Sequence, residues 1–446
     1  MKLYKKINIK ILSIIALIFL AIVIIRGQII LNNTKKITNI YYAVKNNQSF
    51  NMNSIDEMIY NLVKDKKIIS PDNLEKDRVA YLATELYDMG GHSKCLKNLM
   101  VSLDKKYQQK LFLSQINRSN EFAKNTILEI KNYSEIKGIN YDINIMKDFY
   151  KNIDNLVNMI IEFKPKNLFV FIHPDDIIST AVLSLLQKHT AIKIIFFNHS
   201  FRPNLAMSFA DVIIEYNKGD ELITKNIRNL TNNKLIKLQS LKKDETIYYS
   251  SQEILKIRKD LGIKNGNFVS MSGASSYKFF DGNDSPYFKM IKSLLLKVPN
   301  LQHVILSEFS DNQKKIINDI FGDNKKLLER IIFVPYQSKY DIYFQSADVF
   351  IDSFPYIGPL TQVDLMRNKI ATVVKDSPES NIFSKFYQPP NYPYLFEDPK
   401  DIEMAVIKLL KSKKLRDEIV KSNYKYWLEN HENSVVRDEF IKIIEQ

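Results

Sequence analysis

The stretch ADVFIDSFPYIGPLTQVDLMRNKIATVV, residues 347–374, decides how the rest of the chain reads. Two apolar runs of strand length, DVFIDSF (348–354) and IATVV (370–374), flank a Gly358-Pro359 turn and a helical stretch over Leu360–Asn368. Strand, tight turn, helix and strand make a βαβ unit, which implies a parallel sheet. RIIFVP (330–335) supplies a third strand just upstream.

The same alternation extends outward. NFVSMS (267–272) and HVILSE (303–308) read as strands, with helices Lys289–Leu296 and Asn312–Phe321 between strands of this series. An earlier series holds RVAYLAT (78–84), NLFVFIH (167–173), IKIIFFNH (192–199) and DVIIEY (211–216), with helices including Ser93–Leu103 and Ile177–His189. A lysine-rich stretch around Lys234–Lys243 separates the two series. The tail is helical and opens with Asp398 as N-cap and Pro399 at the first helical position. The expected architecture is α/β, two Rossmann-like domains facing a cleft: residues 77–243 and 244–446, preceded by a helical segment over 1–76. In that segment Ile55, Met58, Ile59 and Leu62 form an apolar stripe at helical spacing, and the turn SPDN (70–73) ends it.

Composition narrows the class. The chain has 446 residues, 45% hydrophobic and 26% charged, which excludes a disordered chain, a collagen-like chain and a multispanning membrane protein. Its single cysteine, Cys95, excludes an intrachain disulfide framework and a cysteine-clustered zinc site. The net charge of +14 favours anionic partners. Residues 1–76 carry 12 basic and 5 acidic side chains, so half the excess lies in this segment. That argues either for an N-terminal segment near an anionic surface or for a plain Lys-, Asn- and Ile-rich compositional bias, rather than for a nucleic-acid track, and no nucleic-acid-binding motif is present.

Between Lys10 and Arg26 runs ILSIIALIFLAIVII, with only Ser13 polar. The run is shorter than the ~20 residues a bilayer core needs, yet snorkelling of Lys10 and Arg26 brings it close. No small-residue cleavage site follows it. Residues 7–31 therefore read either as an anchor to the cytoplasmic membrane or as a helix of an N-terminal bundle, and both readings stand. The expected location is the cytoplasm.

In open parallel sheets, ligands bind beyond the carboxyl ends of strands. Four polar clusters sit there. SGASSYK (272–278) offers Ser272, Gly273, Ser275 and Ser276 as a closely approachable loop, and Lys278 as a cation suited to a diphosphate. DSFPYIGPLTQVD (352–364) puts Gly358, Leu360 and Thr361 at a helix start whose amides and dipole favour phosphate oxygens. Asp364 follows Thr361 by three residues, about 4.5 Å along the axis, where a carboxylate can accept from ribose hydroxyls. ELYDMGGHSK (85–94) combines Gly90 and Gly91 with His92, and FNHSFR (197–202) places His199 at a strand end near Arg202. A neutral imidazole there can take a proton from an acceptor hydroxyl. HPDD (173–176) fits a turn and helix cap better than a site. Each cluster also has a plain structural reading: a solvated serine loop, an acidic residue complementing a helix dipole, histidines packed for structure.

RIIFVPYQ (330–337) together with residues 347–374 resembles the donor-binding half of GT-B glycosyltransferases. The likeness is to the O-GlcNAc transferase-like family and the bacterial cytoplasmic protein N-glucosyltransferases. It extends over about 267–440, while YDMGGHSK (87–94) is similar to the glycine-rich acceptor-side loop of many GT-B enzymes. The resemblance implies a GT-B fold, with 77–243 as acceptor domain and 244–446 as donor domain. It further implies that Lys278 contacts the donor diphosphate, Thr361 and neighbouring amides hold the phosphates, and Asp364 binds ribose. The backbone around Val334–Gln337, with Tyr336, would contact the base. His199, ahead of His92, would serve as base or positioning group. The implied activity is transfer of a hexose or N-acetylhexosamine from a nucleotide-diphosphate sugar, UDP by resemblance, to a glycan, lipid-linked or protein acceptor. No cofactor and no metal are expected, Lys278 and the helix start taking the leaving charge. Pro359, Leu360 and the run Arg367–Lys369 depart from the family pattern, and no tetratricopeptide repeats are present. Competing expectations are a sugar-nucleotide epimerase of the same fold and a non-catalytic nucleotide-sugar-binding protein at the membrane.

Overall fold

The computed structural model describes residues 52–446 except 89–90, 105, 141–147, 200–203, 217, 238–244, 336, 338 and 377–383. The apolar run at 11–25, with the question of an anchor over 7–31, therefore lies outside the described residues, as do Gly90, Arg202 and Tyr336. Among the described residues no helix is long and apolar enough to cross a membrane.

Two parallel sheets carry the fold. The first has the order β3-β2-β1-β4-β5-β6-β7. Its strands are β1 (Glu75–Ala83), β2 (Gln108–Leu113), β3 (Glu135–Gly138), β4 (Pro165–Phe171), β5 (Lys193–Phe197), β6 (Val212–Glu215) and β7 (Asn233–Leu235). The second has the order β10-β9-β8-β11-β12-β13. It comprises β8 (Phe268–Gly273), β9 (Leu301–Leu306), β10 (Ile331–Val334), β11 (Val349–Ile351), β12 (Thr372–Lys375) and β13 (Leu395–Phe396). The strand order reverses beside β1 in one sheet and beside β8 in the other. Crevices therefore open at the carboxyl ends of β1/β4 and β8/β11. The expected two-unit α/β architecture is the one observed.

Helices cover both faces of each sheet, so strand residues of either parity are buried, which explains their unbroken apolar runs. In the first sheet Ala80, Leu82, Leu168 and Val170 face a core closed by helices Met52–Val63, Phe149–Phe163 and Ile177–His189. Val79, Tyr81, Phe169 and Phe171 face the other core, with helix Gly91–Leu103. β3, β7 and β13 escape the sequence reading because edge strands need only pair their backbones, and EIKG, NKL and LF carry little apolar signal. β2 escapes it too, since only the second half of QQKLFL is apolar.

The tail divides between the units. Asp398 caps helix Pro399–Lys411 by accepting from the Lys400 amide, and Ile402, Val406 and Leu409 join the second core. Helix Lys413–Asn430 puts Ile419 in that core but Trp427 in the first. Helix Asn433–Glu445 then returns wholly to the first sheet, where the Phe440 ring lies 5.6 Å from that of Phe197. Lys193 Nζ donates to the Ile443 carbonyl at 2.7 Å. Helical periodicity shows an apolar stripe but not which sheet it will meet, so a tail expected to ride with 244–446 crosses back.

Candidate active site

The loop after β8 and the loop after β11 meet at the second crevice. Lys278 Nζ donates to the Ile357 carbonyl at 2.6 Å, and the Tyr356 amide lies 3.4 Å from the Lys278 carbonyl. Helix Pro359–Arg367 starts immediately beyond, with Gly358 as N-cap and no side-chain cap. Pro359 has no amide hydrogen, so Leu360 and Thr361 present the first amides of the helix. Gly358 keeps this corner close-packed: a Cβ on it would stand 3.1 Å from Thr361 Oγ1, so that Thr361 would have to give way. Beneath it the buried Asp352 carboxylate accepts from the Gly358 and Ser353 amides and from Gln362 Nε2. Burial pushes the Asp352 carboxyl upward, with Gln362 and Lys278 opposing. Burial likewise lowers Lys278 below the usual lysine range, with Asp352 resisting. A half-buried ammonium is thus held at Ile357, the residue before the N-cap of a helix start with no side-chain cap, an arrangement suited to an anion.

Ser275 and Ser276 lie half-buried on the same loop, and the Ser275 carbonyl accepts from the Lys278 amide. Two expectations are corrected. Ser272 faces the core: its hydroxyl donates to the Ile351 carbonyl at 2.6 Å and bonds Tyr287, whose hydroxyl lies 2.8 Å from His303 Nε2. Val334 is likewise buried at the end of β10, its carbonyl accepting from the Ser307 amide at 3.0 Å. Gly273, last in β8, packs against Leu306. Gln337 Nε2 turns back to the Pro335 carbonyl at 3.2 Å. The β10 loop reaches the site instead through Tyr340, whose hydroxyl donates to Asp364 at 3.1 Å.

Asp364 sits one turn into the helix and is 4% exposed. Its carboxylate is bonded by Lys94 of the first unit and lies 3.6 Å from Arg367, itself held by Asp341 at 2.8 Å. Burial pushes the carboxyl up, but Lys94 and Arg367 outweigh it and hold Asp364 below the usual carboxylate range. The starts of helices Gly91–Leu103 and Pro359–Arg367 meet here, and a Cβ on Gly91 would stand 3.2 Å from Leu360 Cδ1.

At the first crevice three histidines converge. The His92 ring centroid is 4.7 Å from that of His199 and 5.6 Å from that of His173. His92 Nε2 lies 2.8 Å from the Phe171 carbonyl, so it carries the proton, and the buried Nδ1 has no protein partner. His199 Nδ1 lies 3.2 Å from the Phe197 carbonyl, which leaves Nε2 as its basic nitrogen. Burial and the neighbouring His199 and His173 push His92 well below its ordinary value; burial and His173 push His199 down to about 4. His173 stacks on Tyr87 and places Nδ1 3.6 Å from the buried Glu85, which also pairs with Arg118 at 2.8 Å. Asp176 caps helix Ile177–His189 through the Ser179 amide and accepts from Thr84 and Ser114. Among the described residues no group of His, Cys, Asp and Glu could hold a metal ion.

The structure therefore brings Lys278, Gly358, Leu360 and Thr361 together, sets His92 beside His199, and joins the two corners through Gly91 and Asp364. Sequence reading missed Lys94, Glu85 and Asp352. It passed over His173 because the cap played by Asp176 accounted for HPDD.

The sequence matches no protein-family model and no curated protein. Its fold matches solved structures closely. Anabaena HepE in complex with UDP and glucose superposes with a TM-score of 0.65 at 12% identity, covering 83% of this chain and 99% of that one. A glycosyltransferase from Rickettsia africae gives 0.66 at 10%, covering 83% and 98%. An O-GlcNAc transferase from Thermobaculum terrenum gives 0.56 at 8%, covering 92% and 77%. The chain has the GT-B fold of these glycosyltransferases. At these identities the fold is what is shared.

Proposed function

We propose that the protein is a glycosyltransferase that moves a hexose or N-acetylhexosamine from a nucleoside-diphosphate sugar, with UDP as the nucleotide, to a glycan, lipid-linked or protein acceptor. The observation that carries this reading is the bond from Lys278 Nζ to the Ile357 carbonyl, which sets an ammonium at the uncapped start of helix Pro359–Arg367. The HepE structure, which holds UDP, supports the choice of nucleotide.

In this reading the diphosphate lies against the Leu360 and Thr361 amides and Lys278. Asp364 takes the ribose hydroxyls, and the loop that carries Gln337 contacts the base. As the anomeric C–O bond breaks, its electron pair passes to the diphosphate oxygen, and Lys278 with the helix start stabilises that charge. The acceptor hydroxyl oxygen bonds to the anomeric carbon and gives its proton to His199 Nε2. The chain's own cations suffice for the leaving charge. Residues 77–243 serve the acceptor and 244–446 the donor, the last helix packing back on the first sheet, at the cytoplasmic face of a membrane if 7–31 anchor the chain.

Thermal-shift screening against UDP, GDP, CMP and their sugars tests the reading, because a ligand of the folded state raises its stability. Stabilisation by UDP and UDP-sugars, with UDP release that Lys278→Ala abolishes, is the expected result. Binding without any release or transfer points to the non-catalytic alternative. No shift with any nucleotide overturns the reading.

A further inference from the structure

The ammonium of Lys94 comes from the first unit, yet its partners belong to the second. It bonds Asp364 Oδ2 and the Tyr340 hydroxyl, and stands 4.9 Å from the Tyr340 ring centroid. Tyr340 donates to the same Asp364 oxygen, while the other oxygen faces Arg367 at 3.6 Å. The carboxylate that would receive a ribose diol is therefore already engaged on both oxygens, and one partner is a side chain with freedom to leave. Lys94 is 25% exposed and hangs on a flexible stem, whereas Arg367 is fully buried and tied to Asp341.

Resting on the donor-site reading above, we propose that Lys94 competes with the nucleoside for Asp364. Ribose enters by displacing the ammonium, exchanging an ion pair for hydroxyl hydrogen bonds and undoing this bridge between the two units. Affinity for the nucleoside is thereby tuned by a residue on the opposite wall of the cleft. Lys94 is a positioning residue, acting through Asp364.

The alternative role for a cation at this place is to bind the diphosphate, and the two roles predict opposite effects. Loss of Lys94 does not strand the carboxylate, because Tyr340 and Arg367 remain beside it.

Titration calorimetry of the full chain with UDP, uridine and inorganic pyrophosphate separates them, using wild type, Lys94→Met, Lys94→Gln, Asp364→Asn and Lys94→Met with Asp364→Asn. Circular dichroism melts identify folded variants, and Lys94→Gln stands in if Lys94→Met does not fold. The expected result is about three- to fivefold tighter UDP and uridine binding in the Lys94 variants, the size of one partly exposed ion pair. Pyrophosphate affinity stays within about twofold, and the gain vanishes on the Asp364→Asn background. Weaker binding of UDP and pyrophosphate in the Lys94 variants assigns Lys94 to the phosphates and overturns the proposal, as does unchanged affinity for all three ligands. Failure of the wild-type chain to bind UDP or pyrophosphate overturns the donor-site reading itself, and this inference with it.

Discussion

Lys278 donates from Nζ to the Ile357 carbonyl at 2.6 Å, and that bond ties the first loop of the second sheet to the start of the helix its fourth strand feeds. The lysine was legible in the sequence, but not its partner. A backbone carbonyl neutralises no charge, so the ammonium keeps its capacity for an anion while its position is fixed. Replacing it should cost chemistry more than folding. Lys278→Ala should lower UDP-sugar turnover by about two to three orders of magnitude, as expected for loss of one preorganised charge at a developing anion. The thermal midpoint should fall by only a few degrees, since a single hydrogen bond to the carbonyl of the buried Ile357 is lost. A collapse of the melting temperature matching the loss of turnover would assign the lysine to the fold instead.

The same burial sets a pH dependence. Lys278 loses its proton at lower pH than a free lysine, because desolvation penalises the ammonium. A bound diphosphate favours the charged form and raises that value again. UDP affinity should therefore be full where Lys278 is protonated and decline as pH rises, beginning below the 10.5 of an unperturbed lysine. Calorimetry in buffers of different ionisation enthalpy should show proton uptake on binding along that alkaline limb. Lys278→Arg, which stays charged, should flatten it.

Beneath this loop a chain of buried hydrogen bonds runs one way. Ser272 gives its only hydroxyl proton to Ile351, so Tyr287 must donate to Ser272, His303 Nε2 to Tyr287, and Ser270 to His303 Nδ1. His303 is neutral in this chain, and burial pushes it down to about 3. The unfolded chain takes up the proton near the ordinary value of 6.5. The stabilising contribution is thus complete above about pH 6.5 and shrinks as pH falls toward 3, by about 2 kcal/mol at pH 5. Urea unfolding at pH 7 and pH 5 should show that slope reduced in His303→Gln. Tyr287→Phe should cost about 1–3 kcal/mol at pH 7 by orphaning the buried His303 Nε2–H and removing one of the two bonds of Ser272.

What the sequence revealed follows from where the signal lies. Interior strands such as β4 and β8 announce themselves because both faces are buried. The Asp398-Pro399 helix start is legible because capping is local. Lys278 and Thr361 could be singled out as candidates because each follows directly on a strand–loop corner. Lys94 and Asp364 were not paired, because 270 residues separate them and only the meeting of two domains joins them. Ser272 shows the opposite failure: a polar residue at a strand end reads as a ligand contact until its partner Tyr287 is seen. The tail's return is of the same kind, and it is testable. Phe440 is 2% exposed among Phe169, Phe197 and Ile444. Phe440→Ala should cost about 3–5 kcal/mol in urea unfolding, although only six residues follow it in the sequence. A cost below about 1 kcal/mol would mean that the last helix is not part of the first core.

The histidine cluster carries the last prediction. His199 has Nδ1 committed to Phe197, and burial, with the His173 imidazole, lowers it to about 4. It stays neutral, hence able to accept a proton, well into acidic solution. If His199 is the base, the acid limb of kcat/KM should fall near pH 4 rather than near 6.5. His199→Ala should abolish transfer while leaving UDP affinity within about twofold, since the proposed diphosphate site lies on the other unit. His92 is held differently: its proton is fixed on Phe171 and its free nitrogen is buried. His92→Asn should therefore shift the limb by changing the surroundings of His199, without abolishing turnover. A variant series in which loss of His92 eliminates transfer and loss of His199 does not would reverse the two roles.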